Sequence, residues 1–149
     1  MLEDNTEARE ELKRADHLIF VTLKYTKTVD VIKNTIQRLI AAYDYGIIHA
    51  LECFKKQKKI KNLPLTPISR AEELKKLTSR RPEMREFLEL YFFLKRIDRA
   101  EYTKKEEYRK NVALSVLDND EVFTIDITKL FEFYEKTRVF VDFVEEKFS

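Results

Sequence analysis

One glycine, at position 46, and three prolines are the strong helix breakers in a chain of 149 residues. So few breakers favour long helices joined by few tight turns. The apolar residues agree, recurring at intervals of three and four as in a helix that buries one face. From Thr6 onward these are Leu12, Ala15, Ile19 and Leu23. The segment Tyr25–Thr28, rich in β-branched and polar residues, predicts a break, with Thr28 as the cap of the next helix and Asp30 favourably placed in its first turn. Val29, Ile32, Ile36, Leu39, Tyr43, Ile47, Ala50 and Phe54 then form one core stripe of about seven turns. Gly46 lies on the flank of that stripe. Its missing side chain predicts a close helix–helix contact, with a kink as the alternative.

Five lysines between Lys55 and Lys61 suit the C-terminus of this helix. They could also touch phosphates, but aromatic residues for base stacking are scarce there, so a solvated helix end is expected. The segment "LPLTP" predicts a loop. Ser69–Glu72, "SRAE", has the spacing of a capping box and predicts a short helix from Arg70 to Leu77. Pro82 is expected at the first position of the next helix, whose stripe is Phe87, Leu90, Leu94 and Ile97. After Asn111 the period falls to two. "VALSVL" and "EVFTIDI" around Asp118–Asp120 predict a β-hairpin, with Val112, Leu114 and Val116 on one face and Phe123, Ile125 and Ile127 on one face of the second strand. Asp126 is expected to cap a last helix carrying Ile127, Leu130, Phe131, Tyr134, Val141, Val144 and Phe148. Phe133, Phe140 and Phe143 widen that stripe beyond one bundle contact. The surplus predicts either a homodimer surface or a wide groove filled by the first helix. The fold class is therefore mainly α: one domain, a bundle of four to five helices with one β-hairpin before the C-terminal helix.

Several function classes are excluded by residue type. With a single glycine, neither GxxxxGK[ST] nor GxGxxG can occur. No GxSxG is present. His17 and His49 fall on different helices, and no HxxxH, ExxH or CxxC accompanies them, so no metal and no cofactor are expected. Cys53, the one cysteine, cannot form an intrachain disulfide and fits a reducing, cytoplasmic setting. No charged-then-apolar leader precedes residue 20 and no run of eighteen apolar residues occurs, so neither a signal peptide nor a membrane span is expected. Lys plus Arg number 29 and Asp plus Glu 27, a net charge of +2 that argues against a general polyanion binder but leaves room for local patches. Charged residues make up 38% of the chain with one Cys, a composition resembling that of thermophile proteins.

The candidate site is Arg96–Asn111, "RIDRAEYTKKEEYRKN", with six basic residues, four acids and two tyrosines. Continued by four and three, the apolar stripe of the preceding helix lands on Glu101, Lys104 and Tyr108. A helix is expected to run on here with an ionisable inward face. Lys95, Arg99, Tyr102, Glu106 and Arg109 then share one polar stripe, and Arg96 and Arg99 bracket Asp98. Arginines held by carboxylates present a fixed fork to a phosphate or carboxylate, and Tyr102 and Tyr108 can stack on a base or donate a hydroxyl. An ordinary salt-bridged helix face is the plainer alternative.

"RKNVALSV" followed by "FTIDITKLFEFYEKTRVFVDFVEE" resembles the HEPN superfamily of compact helical bundles that often dimerise. There a late helix carries Arg, commonly a polar residue such as Asn, and a few positions later His, ahead of a terminal amphipathic helix. Arg109 and Asn111 match the polar positions, while Leu114, Ser115 and Val116 stand where the histidine would fall. The resemblance implies an inactive or RNA-binding relative, since general acid–base cleavage would lack its proton carrier. "AAYDYGIIHALE", with Asp44 and Glu52, is more distantly similar to a ribonuclease III-like helical domain. The function expected is a non-catalytic homodimeric module contacting RNA through Arg96, Arg99, Tyr102, Arg109 and Asn111. The alternatives are an RNA-processing enzyme using an acid or His49, and a structural partner for another protein through the last helix.

Overall fold

The computed structural model describes residues 5–148, so the expectation about a leader concerns an N-terminus that lies partly outside the described residues. Among the described residues the chain forms a bundle of five helices with one antiparallel sheet before the last of them. Helix α1 (Thr6–His17) passes without a break into a π-helical turn at Leu18–Thr22 and a last α-helical turn at Leu23–Tyr25. Leu12, Ala15, Ile19 and Leu23 are buried as the period predicts. The π turn coincides with a run of β-branched and aromatic residues, "IFVT", which hold a regular helix weakly. Phe20 of this turn meets the rings of Phe131 at 5.5 Å and Tyr134 at 6.0 Å.

The expected break follows, and Thr28 caps helix α2 (Val29–Lys56), its hydroxyl accepting from the Val31 amide at 3.4 Å. All eight predicted stripe positions of α2 are buried. This central helix packs against α1, the three later helices and the middle strand of the sheet. Gly46 is the predicted close contact, and α2 runs through it unbroken. A Cβ there would lie 2.6 Å from Cε2 of Phe140, a ring that stacks on Tyr43 at 4.5 Å. Buried Glu11 ties α1 to α2, accepting from Arg14 at 2.9 Å and Arg38 at 3.2 Å.

Helix α3 (Pro67–Leu77) starts three residues earlier than the sequence predicts. The capping residue is Thr66, not Ser69. The Thr66 hydroxyl accepts from the Ser69 amide at 3.1 Å, and the Ser69 hydroxyl accepts in turn from the Thr66 amide at 3.2 Å. Pro67 decides the register, because its fixed φ and missing N–H suit the first helical position. Helix α4 (Pro82–Arg99) opens on Pro82 as predicted. Its most buried face is Met84, Leu88, Tyr91, Leu94 and Ile97, while Phe87 and Leu90 are half-buried beside it. Phe87 packs on Phe140 at 5.5 Å and Phe143 at 5.4 Å.

The helical continuation past Arg99 does not form. Ala100 is extended, and Glu101–Lys105 make strand β1 of the sheet β1–β2–β3. The predicted hairpin is present as β2 (Ala113–Asp118) and β3 (Glu121–Asp126). Its two-residue turn is Asn119–Asp120, both with positive φ (52° and 64°), as a type I′ turn requires. Val116 pairs with Phe123 and Leu114 with Ile125, so these parts of the predicted apolar faces coincide and lie on the bundle, whereas Val112 precedes β2 and Ile127, expected on the strand face, opens the last helix. The segment between β1 and β2 docks on the start of α2. The Tyr108 amide donates to the Lys27 carbonyl at 2.6 Å, and the Glu107 carboxylate accepts from the Val29 amide at 2.8 Å.

Asp126 caps helix α5 (Ile127–Lys147), accepting from the Lys129 amide at 2.8 Å. Most of the aromatic surplus of α5 is packed within the chain, Phe131 remaining exposed. Phe140 lies between Tyr43 and Phe87, Phe133 meets Phe93 at 6.1 Å, and Phe148 meets Phe54 at 5.5 Å. From the N-terminal side, Asn5 donates to the Val141 carbonyl and Arg9 to Asp142 and Glu145. Among the described residues, no helix is long and apolar enough to cross a membrane.

Candidate functional site

Helices α3 and α4 meet α2 side by side and leave a groove of about 400 Å³ between them. Ile68, Glu72 and Lys75 line it from α3, and Phe92, Lys95, Arg96 and Arg99 from α4. Four cations thus face one acid over an apolar floor, a local balance of 4 − 1 = +3. The α4 residues fall at intervals of three and four, which places them on one helix face. Lys75 reaches the same groove only because α3 folds back along α4.

The cations differ in their commitments. Arg96 donates from Nε to Asp118 at 3.1 Å, and its guanidinium lies 5.6 Å from the centre of the Phe93 ring, so its orientation is fixed by the end of β2. Asp98, expected between the two arginines as their holder, instead accepts from Gln37 at 3.2 Å and faces α2. Lys75, Lys95 and Arg99 have no acidic partner within 4 Å among the described residues. A second cluster of basic groups, Lys13, Arg14, His17 and Arg38, contrasts with this. There Glu10 pairs with Lys13, and Glu11 is shared by Arg14 and Arg38, so each of these cations has an acidic partner.

Behind the α4 wall lies a polar pair that the sequence did not reveal. The Tyr91 hydroxyl donates to Asp44 Oδ1 at 2.6 Å. Burial pushes the Asp44 carboxyl above the ordinary carboxylate range, opposed by the Tyr91 hydrogen bond and by the charges of Lys95 and Arg70. Tyr91 is pushed up as well, first by burial and then by Asp44, with Arg70 and Arg99 opposing. Arg70 itself donates to the carbonyls of Pro64 and Leu65, pinning the loop that enters α3. Asp44 is not among the groups that line the groove.

The five predicted site residues are divided by the end of α4. Arg96 and Arg99 share the groove. Tyr102 stands on β1 with its ring centre 4.4 Å from Lys33 Nζ. Arg109 and Asn111 lie exposed in the segment after β1, with Glu106 at 3.8 Å from Arg109. Strand β1, which carries Tyr102 near its start and whose four residue steps span about 13 Å, runs from the end of α4 toward Arg109 and Asn111. The single polar stripe therefore does not form, because it presumed a helix where the chain is a strand. Lys95 was legible as the residue one turn before Arg99, and Phe92 had the same signal, one turn before Arg96, but was not singled out; Lys75 and Glu72 were not legible, since only tertiary packing brings α3 alongside α4.

His49 sits about 140° around α2 from Asp44, at about 100° per residue, so the two do not form an acid–base pair. Its Nε2 is buried without a hydrogen-bond partner among the described residues. Among the described residues no three His, Cys, Asp or Glu side chains are grouped as metal ligands. In comparison with known proteins, no family model, no curated protein and no solved structure matches this chain.

Proposed function

We propose that the chain is a non-catalytic, dimeric RNA-contacting module of the cytoplasm, and that the α3–α4 groove takes the RNA backbone. The observation that carries this is the convergence of Lys75, Lys95 and Arg99, unpaired with acids among the described residues, on the wall that already holds an oriented Arg96. What distinguishes the three is that they gather on one groove, whereas Arg9, Arg14, Arg38 and Arg138 each have an acidic partner within the fold. A group of three left without acids suits phosphates supplied from outside. Phe92 and Ile68 give the groove an apolar floor on which a base or sugar can rest.

The HEPN-like relationship belongs to this proposal only as far as RNA contact. Arg109 and Asn111 are exposed and available to a flanking stretch of RNA, while Leu114, Ser115 and Val116 are buried in β2. A processing enzyme, HEPN-like or ribonuclease III-like, needs a proton carrier that touches its substrate. Asp44 is held by Tyr91 behind the groove wall, and His49 lies on another flank of α2, so binding is the reading that the geometry favours over cleavage. Dimerisation is part of the proposal through a surface other than α5, whose phenylalanines are largely packed inside the protomer.

Titration of a fluorescent single-stranded RNA at increasing salt tests the groove. On a single strand each neutralised phosphate adds about 0.7 to the slope of log K against log salt. Combined Lys75→Ala, Lys95→Ala and Arg99→Ala substitutions are therefore expected to lower that slope by about 2. Unchanged affinity and slope in that variant would overturn the assignment.

A further inference from the structure

We propose that strand β1 pairs with β1 of a second copy of this chain, antiparallel about Thr103, joining two three-stranded sheets into one of six strands. The inference rests on the dimeric part of the reading above and is independent of the RNA-contacting part. Strand β1 is an edge, and all five of its residues are exposed. It pairs residue for residue with β2 from Glu101↔Leu117 to Lys105↔Ala113, so no bulge twists its outer side away. It contains no proline. Devices that commonly protect an edge from pairing are thus lacking, apart from its two lysines.

Those lysines set the register. In an antiparallel pair centred on Thr103, Glu101 of each copy stands opposite Lys105 of the other, and Tyr102 opposite Lys104. Each symmetric pairing occurs twice. Glu101 and Lys105 have no ion-pair partner among the described residues of their own protomer. The Tyr102 ring already receives Lys33 at 4.4 Å and Lys104 is held by Asp30 at 3.6 Å in its own chain, so the two Glu101–Lys105 pairs are the ones that favour this register. The other edge does not complement itself in this way. Strand β3 carries Glu121 and Asp126 but no base, so no register of β3 on its own copy sets an acid opposite a base. Charge therefore selects β1 over β3 and a second copy over an unrelated strand.

Sedimentation equilibrium of the full chain is expected to show a concentration-dependent dimer. Glu101→Lys alone, or Lys105→Glu alone, sets like charges opposite twice and is expected to weaken self-association about tenfold. The two together restore the opposite-charge pairs and bring it back to within about threefold. In a Cys53→Ala background, Thr103→Cys lies on the two-fold axis and is expected to oxidise to a covalent dimer. Glu101→Cys in the same background stands opposite Lys105 and is expected to form no covalent dimer under oxidation. An unchanged far-ultraviolet spectrum confirms that each variant is folded. A wild-type chain that stays monomeric would remove the dimeric reading and this inference together. A dimer indifferent to both reversals, without the cross-link at 103, would remove the β1 surface alone.

Discussion

Gly46 is where a single atom decides the packing of two helices. A methyl group there would stand 2.6 Å from the Phe140 ring edge, and that ring is wedged between Tyr43 and Phe87. Alanine is the better helix former by about 1 kcal/mol, so an unconstrained site would gain from the change. Here overpacking outweighs propensity, and Gly46→Ala is expected to lower stability by about 1–2 kcal/mol in chemical denaturation. A stabilised variant would show that α2 and α5 can move apart. Asp44 is the second decisive residue. Its raised pKa means that the folded chain holds the proton more tightly than the unfolded chain does. That contribution is fully present below the unfolded carboxylate value of about 3.9 and is lost as pH rises through the folded value. Asp44→Asn keeps an acceptor for the Tyr91 hydroxyl but cannot ionise. The difference in Tm between variant and wild type is expected to move in favour of the variant from about pH 4 to about pH 7. A difference independent of pH would contradict the burial-driven shift.

At the scale of elements, caps and turns were legible where a side chain acts on its own backbone. Thr28, Pro82 and Asp126 sit where the local chemistry places them, and Asn119–Asp120 supply the left-handed pair that closes the hairpin. Asp120→Gly removes the cost of a Cβ at φ 64° and is expected to raise stability by about 0.5–1 kcal/mol in thermal melts. No gain would mean that the Asp120 side chain compensates the strain. Ser69–Glu72 misled because two capping patterns overlap within seven residues, Thr66–Glu72, and Pro67 settles between them. Thr66→Ala is accordingly expected to cost α3 about 1 kcal/mol, while Glu72→Ala should change stability little. Comparable losses in both would return the start of α3 to Ser69. Strand β1 was illegible for a different reason. Each of its residues is exposed, so it shows no alternation of apolar and polar positions, and its charged composition reads as helix. Its structure comes from the β2 ladder alone, a long-range cause that local pattern cannot reveal.

For the whole molecule, the bundle was readable because α2 carries a continuous apolar stripe that the other helices cover. The site was readable only in part. Arg96 and Arg99 were recovered from their spacing on α4, but Lys75, the cation that faces them, arrives through the fold-back of α3. The end of α4 at Arg99 then separates Tyr102, Arg109 and Asn111 from the groove. The central claim is that the unpaired cations of this groove are its contact surface for RNA. Backbone amide shifts mapped by nuclear magnetic resonance during titration with single-stranded RNA test it most directly. The groove predicts changes concentrated at Ile68–Lys75 and Phe92–Arg99, weakening as salt is added. Changes confined to Lys13, Arg14 and Arg38, or no changes at all, would contradict it.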